Sequence, residues 1–375
     1  SRCTVPRVTG TERYAIELLR AILRLNTTHD ITLYFRDAPS QGLFTKEFGG
    51  RGIAVSLPNH GTIDDETHNR VTIHVIPQRR MWTHTRFAAA LYAERPDITF
   101  VPAHTLPFVF PGLGAVTVHD LGFRYFPDAH PPRQRLYLDL TTRTSAARAS
   151  VILADSRATA DDLTRFYGTD PVKIRVVYPG VDAPIIGDVE GVRRKYGLPA
   201  RYFLFIGTLQ PRKNIARIVQ AYTQWRAAHP GDATGLVLAG GKGWLYDPAW
   251  AEGVPGVQIT GYIDESDKGA LLAGALALVF PSLYEGFGFP AVEAMHCGAP
   301  VIASRTSSLP ELVGDAGLLV DPLSVDEIAA AMTRISDDAV LRASLILRGR
   351  AAAARFTWDA AGRAALDALE SAAHG

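Results

Sequence analysis

Three observations predict an α/β fold of two doubly wound domains facing a cleft. Short apolar strands alternate with helical patterns along the whole chain, the order that builds parallel sheets. A stretch rich in proline and glycine, 179–190, splits the alternation into two similar halves. Glycine-bearing loops follow several strand ends, where ligands of open α/β sheets bind. The expected division is a first domain over 1–183, a second over 184–356, and a final helix over 357–375 packing back on the first.

In the first half, Tyr14, Leu18, Ala21, Ile22 and Leu25 share one face of a helix over 13–25. Strands are expected at 31–35, 72–76, 98–101, 115–118, 150–154 and 174–177, from their apolar and β-branched residues. Helices are expected at 85–94 and 133–149. Asp155-Ser156 is placed to cap another over 159–166. The second half repeats the alternation. Its strands are 202–206, 235–238, 257–260, 277–280, 301–303 and 317–320, and its helices 215–229, 265–274, 290–296 and 325–336. An alanine-rich helix follows Trp358. The segments 41–65 and 78–85 carry no readable pattern.

The 375 residues are 47% hydrophobic, ample for more than one core, and the formal net charge of +1 argues against a nucleic-acid protein held by a general basic field. The first half is mildly basic and the second mildly acidic, which reads first as ordinary surface variation and second as a first half that favours an acidic acceptor or a membrane surface. Two cysteines, Cys3 and Cys297, make no disulfide framework, and the cytoplasm is the expected compartment. No run of about 20 apolar residues suggests a membrane span.

The most informative stretch is Glu285-Gly286-Phe287-Gly288-Phe289-Pro290-Ala291-Val292-Glu293. It reads as strand exit, glycine loop and helix start, with Pro290 suited to the first helical position. One carboxylate stands in the loop and the other in the first helical turn. Bare loop amides and a helix N-terminus favour a diphosphate, and carboxylates beside it suit sugar hydroxyls. Gly207 ends the first strand of the second half and leads to Arg212 and Lys213 just before a helix. Cations there oppose the helix dipole, so the placement invites an anion. The loop Gly240-Gly241-Lys242-Gly243 is either a plain flexible turn or one that admits a phosphate or a sugar face. The turn Gly261-Tyr262-Ile263 is either a structural turn or one whose backbone reads a base edge. His119 closes a first-half strand and faces the cleft, with Asp120 either orienting it or capping the next turn. His104 is a weaker candidate near another strand end. Gly10, before the first helix, belongs to a further anion-friendly loop. The histidines form no His-x-x-x-His pair with a glutamate, there is no Asp-x-Asp, and no Gly-x-Ser-x-Gly or phosphate-loop lysine motif occurs.

Taken together, Glu285 to Glu293, Pro211-Arg212-Lys213-Asn214, His119-Asp120, Tyr178-Pro179-Gly180-Val181-Asp182 and Ser308-Leu309-Pro310-Glu311 resemble retaining GT-B glycosyltransferases of group 1, or family 4, most closely the mannosyl- and rhamnosyl-type members. The resemblance implies transfer of a hexose from a nucleotide diphosphate sugar, GDP-mannose first and UDP-glucose or UDP-N-acetylglucosamine next, to a hydroxyl of a glycan or lipid-linked acceptor. It implies no required cofactor or metal, no nucleic-acid partner, and peripheral membrane contact through the first domain. Glu293 would hold the donor ribose and Glu285 would lie beside the donor hexose. Arg212 and Lys213 would neutralise the leaving diphosphate. Gly286, Phe287 and Gly288 would cradle sugar and phosphates, Gly261–Ile263 would meet the base, and Gly10 and His119 would face them from the first domain. The resemblance also implies an apolar strand before Gly10, and the nine residues there, broken by Pro6, do not read as one. A GT-B epimerase and a non-catalytic nucleotide-sugar-binding protein are the competing readings.

Overall fold

The computed structural model describes residues 10–25, 29–38, 61–64, 70–78 and 81–374. The segment before Gly10 and most of 41–65 therefore lie outside the described residues.

The first half carries strands β1 (Asp30–Phe35), β2 (Gly61–Asp64), β3 (Arg70–Val75), β4 (Ile98–Val101), β5 (Leu113–Val118), β6 (Val151–Ala154) and β7 (Ile174–Val176). Among the described residues they form two sheets, ordered β1-β3-β2 and β4-β5-β6-β7. Only the β2–β3 pair is antiparallel. Ile31 of β1 and Ile98 and Phe100 of β4 pack on one cluster with Tyr14 and Leu18, so both sheets share a core. Helices α1 (Gly10–Arg24), α2 (Ala88–Glu94), α3 (Gly122–Tyr125), α4 (Pro132–Arg148) and α5 (Arg157–Tyr167) accompany them. The helix expected at 85–94 opens instead with a π-helical turn, Thr83–Phe87.

The second half holds β8 (Tyr202–Ile206), β9 (Gly235–Ala239), β10 (Val257–Gly261), β11 (Ala277–Phe280), β12 (Val301–Ser304) and β13 (Leu318–Val320). They form one parallel sheet in the order β10-β9-β8-β11-β12-β13. The strand order reverses between β8 and β11, which is where a doubly wound sheet opens a crevice for a ligand. Residues of β8, β9 and β11 are almost wholly buried, as sheets covered on both faces require. Its helices are α6 (Val189–Lys195), α7 (Ile215–Ala228), α8 (Lys268–Ala273), α9 (Phe289–Cys297), α10 (Leu309–Val313), α11 (Val325–Asp337) and α12 (Ala339–Ala353). The sequence reading missed α6, α10 and α12.

The chain passes between the halves twice, near Tyr178–Asp188 and again after α12. The two crossings touch. The Val181 amide donates to the Phe356 carbonyl at 2.9 Å, and a Cβ on Gly180 would collide with the Trp358 backbone. Helix α13 (Trp358–His374) then packs on the first half. Trp358, Ala361, Ala365 and Ala368 join Tyr14, Leu18, Ala115 and Leu153 in one core, and Gly362 lets α13 approach Ala21 of α1 closely. No helix among the described residues is long and apolar enough to cross a membrane.

Candidate active site

The loops after β8 and β11 meet at the point of strand reversal. After β8 the chain passes Gly207, whose φ of 142° favours glycine, and makes a 3-10 turn over Pro211–Lys213. Asn214 then adopts φ 65° before α7, and its side-chain amide donates to the Pro281 and Pro322 carbonyls. This fixes the cation-bearing turn against the exit of β11. Arg212 Nη1 donates to Glu285 Oε2 at 3.0 Å and to the Tyr284 carbonyl at 2.7 Å. Lys213 Nζ donates to Glu285 Oε1 at 2.5 Å and lies over the Phe280 ring. The anion that the two cations invited is thus first of all Glu285 itself.

Burial raises the cost of charge on all three groups. It pushes Glu285 upward, but the charges and hydrogen bonds of Lys213 and Arg212 outweigh it and hold the carboxyl below its usual range. Burial, with Arg212 adding, pulls Lys213 below its usual range against the attraction of Glu285. Two cations thus converge on one carboxylate, with Asp120 also attracting both, and the paired cations suit an entering diphosphate.

The glycine loop serves two purposes. Gly288 has φ 124° and precedes α9, so Phe289 is the first helical residue and Pro290 the second. Glu293 accordingly sits in the second turn, not the first as the spacing suggested. Gly286 approaches protein rather than open space, because a Cβ there would collide with the His119 carbonyl of the other half. The Phe287 side chain is buried in the second core, packed on Phe356, so anything it offers a ligand comes from its backbone. Ser308 donates to the carbonyls of Glu285 and Phe287, and Ser307 Oγ accepts the Glu285 amide at 3.0 Å.

Across the interface, His119 Nδ1 pairs with Asp155 Oδ2 at 2.8 Å. Burial works against a charge on His119, yet Asp155 and then Asp120 raise its pKa above the ordinary value. Its Nε2 has no partner among the described residues. Asp120 caps the turn into α3 through Gly122, and Ser156, not Asp155, caps α5. Asp155 is therefore the orienting residue that the sequence reading took for half of a helix cap. His104 stacks edge-on against His119 with ring centroids 5.2 Å apart, and burial followed by the charge on His119 lowers its pKa to about 4.

Glu293 faces a second recess, a cleft of about 240 Å³ whose lining includes Gly10, Arg13, Asp182, Glu265 and Glu293. Lys268 donates to Glu293 and Glu265 at 2.7 Å each, and Arg13 reaches from the first half to Glu265 at 3.1 Å. Gly10 and Glu293, both proposed from the sequence, thus share one cleft. Gly261 has φ 71°, and its carbonyl already accepts the Gly240 amide at 2.8 Å. Tyr262 is 75% exposed and Ile263 leans on the core.

Sequence reasoning missed the ties that hold the halves together. The Tyr284 hydroxyl donates to Asp162 and accepts the Leu121 amide. Glu311 accepts the amides of Arg157 and Ala158 at the start of α5 and the Tyr178 hydroxyl, an acidic cap supplied by the other domain.

A family model described as "Glycosyl transferases group 1" matches residues 190–352, and one described as "Glycosyltransferase Family 4" matches 8–183. O-antigen chain mannosyltransferase B of Escherichia coli is 30% identical over 94% of this chain and 93% of its own length. D-inositol 3-phosphate glycosyltransferase of Acidothermus cellulolyticus is 35% identical over 57% of this chain and 51% of its own. Sucrose-phosphate synthase of Thermosynechococcus elongatus superposes with TM-score 0.68 at 22% identity, covering 97% of this chain and 93% of that one. Anabaena HepE, solved with UDP-glucose, superposes with TM-score 0.69 at 18% identity, covering 98% of each. With one relative matched end to end and both halves matched by family models, the chain belongs to the group 1, family 4 glycosyltransferases and has their GT-B fold.

Proposed function

We propose that this glycosyltransferase moves mannose from GDP-mannose to a hydroxyl of a glycan acceptor, retaining the anomeric configuration. The observation that carries the reading is the Arg212–Glu285–Lys213 triad at the strand reversal, facing His119 and Asp155 across the interface. Breaking a glycosyl–phosphate bond releases negative charge, and two fixed buried cations stabilise it with little reorganisation. The end-to-end match to a mannosyltransferase supports mannose as the transferred sugar.

In this reading Glu293 holds the donor ribose, while the amides around Gly286 and Gly288 and the His119 side chain contact the sugar. Gly10 approaches the phosphates from the first domain, and Gly207 lets the Arg212 loop turn toward them. The Gly261–Ile263 turn meets the base. A double displacement would need a carboxylate free to attack the anomeric carbon. Both Glu285 oxygens are held by cations, which lowers their nucleophilicity. A front-face path fits better. The acceptor hydroxyl attacks the anomeric carbon on the side from which the diphosphate departs, and its proton passes to the departing phosphate oxygen. Arg212 and Lys213 supply the charge stabilisation that this path needs.

The test is a panel of GDP- and UDP-sugars scored by thermal shift, followed by product NMR on the donor that stabilises the fold. GDP-mannose should give the largest shift and an α-configured product. A larger shift with a UDP-sugar would replace the donor, and trapping a sugar covalently on Glu285 would replace the mechanism.

A further inference from the structure

We propose that the pocket between the first domain and the loop carrying Trp244 is the acceptor subsite, and that it takes the flat apolar face of a neutral sugar ring. The inference rests on the transfer reading above.

The pocket holds about 270 Å³ and is lined from both halves. The first contributes His104, Phe126 and His130, and the second Gln210, Arg212 and Trp244. Aromatic rings with a few polar groups between them are what a sugar requires, since its ring has an apolar face and a polar rim. Trp244 is there by construction. The Leu209 amide donates to the Gly241 carbonyl and the Gly243 amide to the Leu209 carbonyl, stitching the glycine loop to the Arg212 loop. Gly240, with φ 145°, crosses Gly207 so tightly that a Cβ would collide with the Gly207 carbonyl. Leu245, a non-glycine residue at φ 52°, holds the strained turn just beyond Trp244.

The charges favour a neutral ligand. Arg212, the guanidinium of this lining, is already bound to Glu285, and Asp120 stands nearby as a carboxylate. Burial keeps His104 uncharged at neutral pH. A phosphate on the acceptor would meet Asp120 and, in the transfer reading, compete with the donor diphosphate for Arg212. Arg212 also joins this pocket to the triad, so a hydroxyl of a ring seated here lies on the reaction side of the donor.

The test uses the full chain and saturation-transfer NMR, with methyl α-mannoside and inositol 3-phosphate as probes. Saturation should reach the mannoside ring protons. Trp244→Ala should weaken mannoside binding about tenfold and Trp244→Phe should restore most of it, while GDP and GDP-mannose affinities change less than about twofold. Loss of GDP-mannose affinity with GDP affinity kept would place the donor sugar here and overturn the proposal. So would displacement of mannoside by inositol 3-phosphate, absence of mannoside binding, or indifference to Trp244→Ala. Trp244-dependent mannoside binding in a protein that binds no sugar nucleotide would support the subsite and strike the donor reading alone.

Discussion

Tyr284, one residue before Glu285, donates its hydroxyl hydrogen to Asp162 of the other domain at 2.8 Å. The same oxygen accepts the buried Leu121 amide at 3.0 Å, and Tyr125 completes the cluster by donating to Asp162 at 2.5 Å. The loop that carries the triad carboxylate is therefore fastened to the domain that presents His119.

Tyr284→Phe removes one donor and leaves the Leu121 amide without its acceptor. The expected cost is about 1–3 kcal/mol of stability. Nucleotide affinity should change little and turnover should fall, because the Glu285 loop loses its reference to His119. Denaturant unfolding and steady-state kinetics read these two outcomes, and unchanged turnover would show that the fastening is not needed for chemistry.

Glu285→Gln leaves Lys213 and Arg212 buried without their carboxylate. Losing one partner of a buried ion pair costs about 3–5 kcal/mol. An anion supplied from outside replaces the missing charge, so GDP should raise the melting temperature of this variant more than that of the wild type. Turnover should drop about 100-fold or more. A smaller GDP shift in the variant would mean that the diphosphate does not bind at these cations.

His119 and His104 should titrate far apart. By burial first and then by the charge on His119, His104 is held near pKa 4, whereas Asp155 lifts His119 above its ordinary value. A raised histidine contributes stability that is complete below about pH 6.5 and fades as pH rises through the folded-state value. Asp155→Asn should lower the His119 midpoint, since burial is then opposed only by Asp120 and the hydrogen bond to Pro102. Histidine NMR titration of both proteins checks this, and coincident midpoints would contradict it.

Glu293→Gln should weaken binding of GDP-mannose about tenfold, the scale of one charge-assisted hydrogen bond. A 2′,3′-dideoxy donor should lose affinity for the wild type yet bind both proteins alike. A full loss for that donor in Glu293→Gln as well would remove the ribose role.

How much of this was legible in the sequence depends on the distance between partners. The β11 loop and the glycine before α9 sit within a dozen residues, so spacing alone exposed them. The second sheet was legible too, because its buried strands are continuous apolar runs. The pairing of Glu285 with Arg212 and Lys213 spans 73 and 72 residues, and no local pattern encodes it. Asp155 shows the limit most clearly. It is adjacent to Ser156, both are good cap residues, and only the approach of His119 decides which of them caps α5. Glu311 belongs to a recognisable motif, but its role appears only where the start of α5 meets it.

The two chain crossings between the halves lie side by side, bound by Val181 to Phe356 and wedged at Gly180 against Trp358. Mechanically, a joint with two tethers at one edge swings like a book and resists sliding. Opening the cleft would then lift Tyr284 from Asp162 and Glu311 from α5, while the spine stays shut. Gly180→Ala would drive a splint into that spine and set the resting angle of the covers.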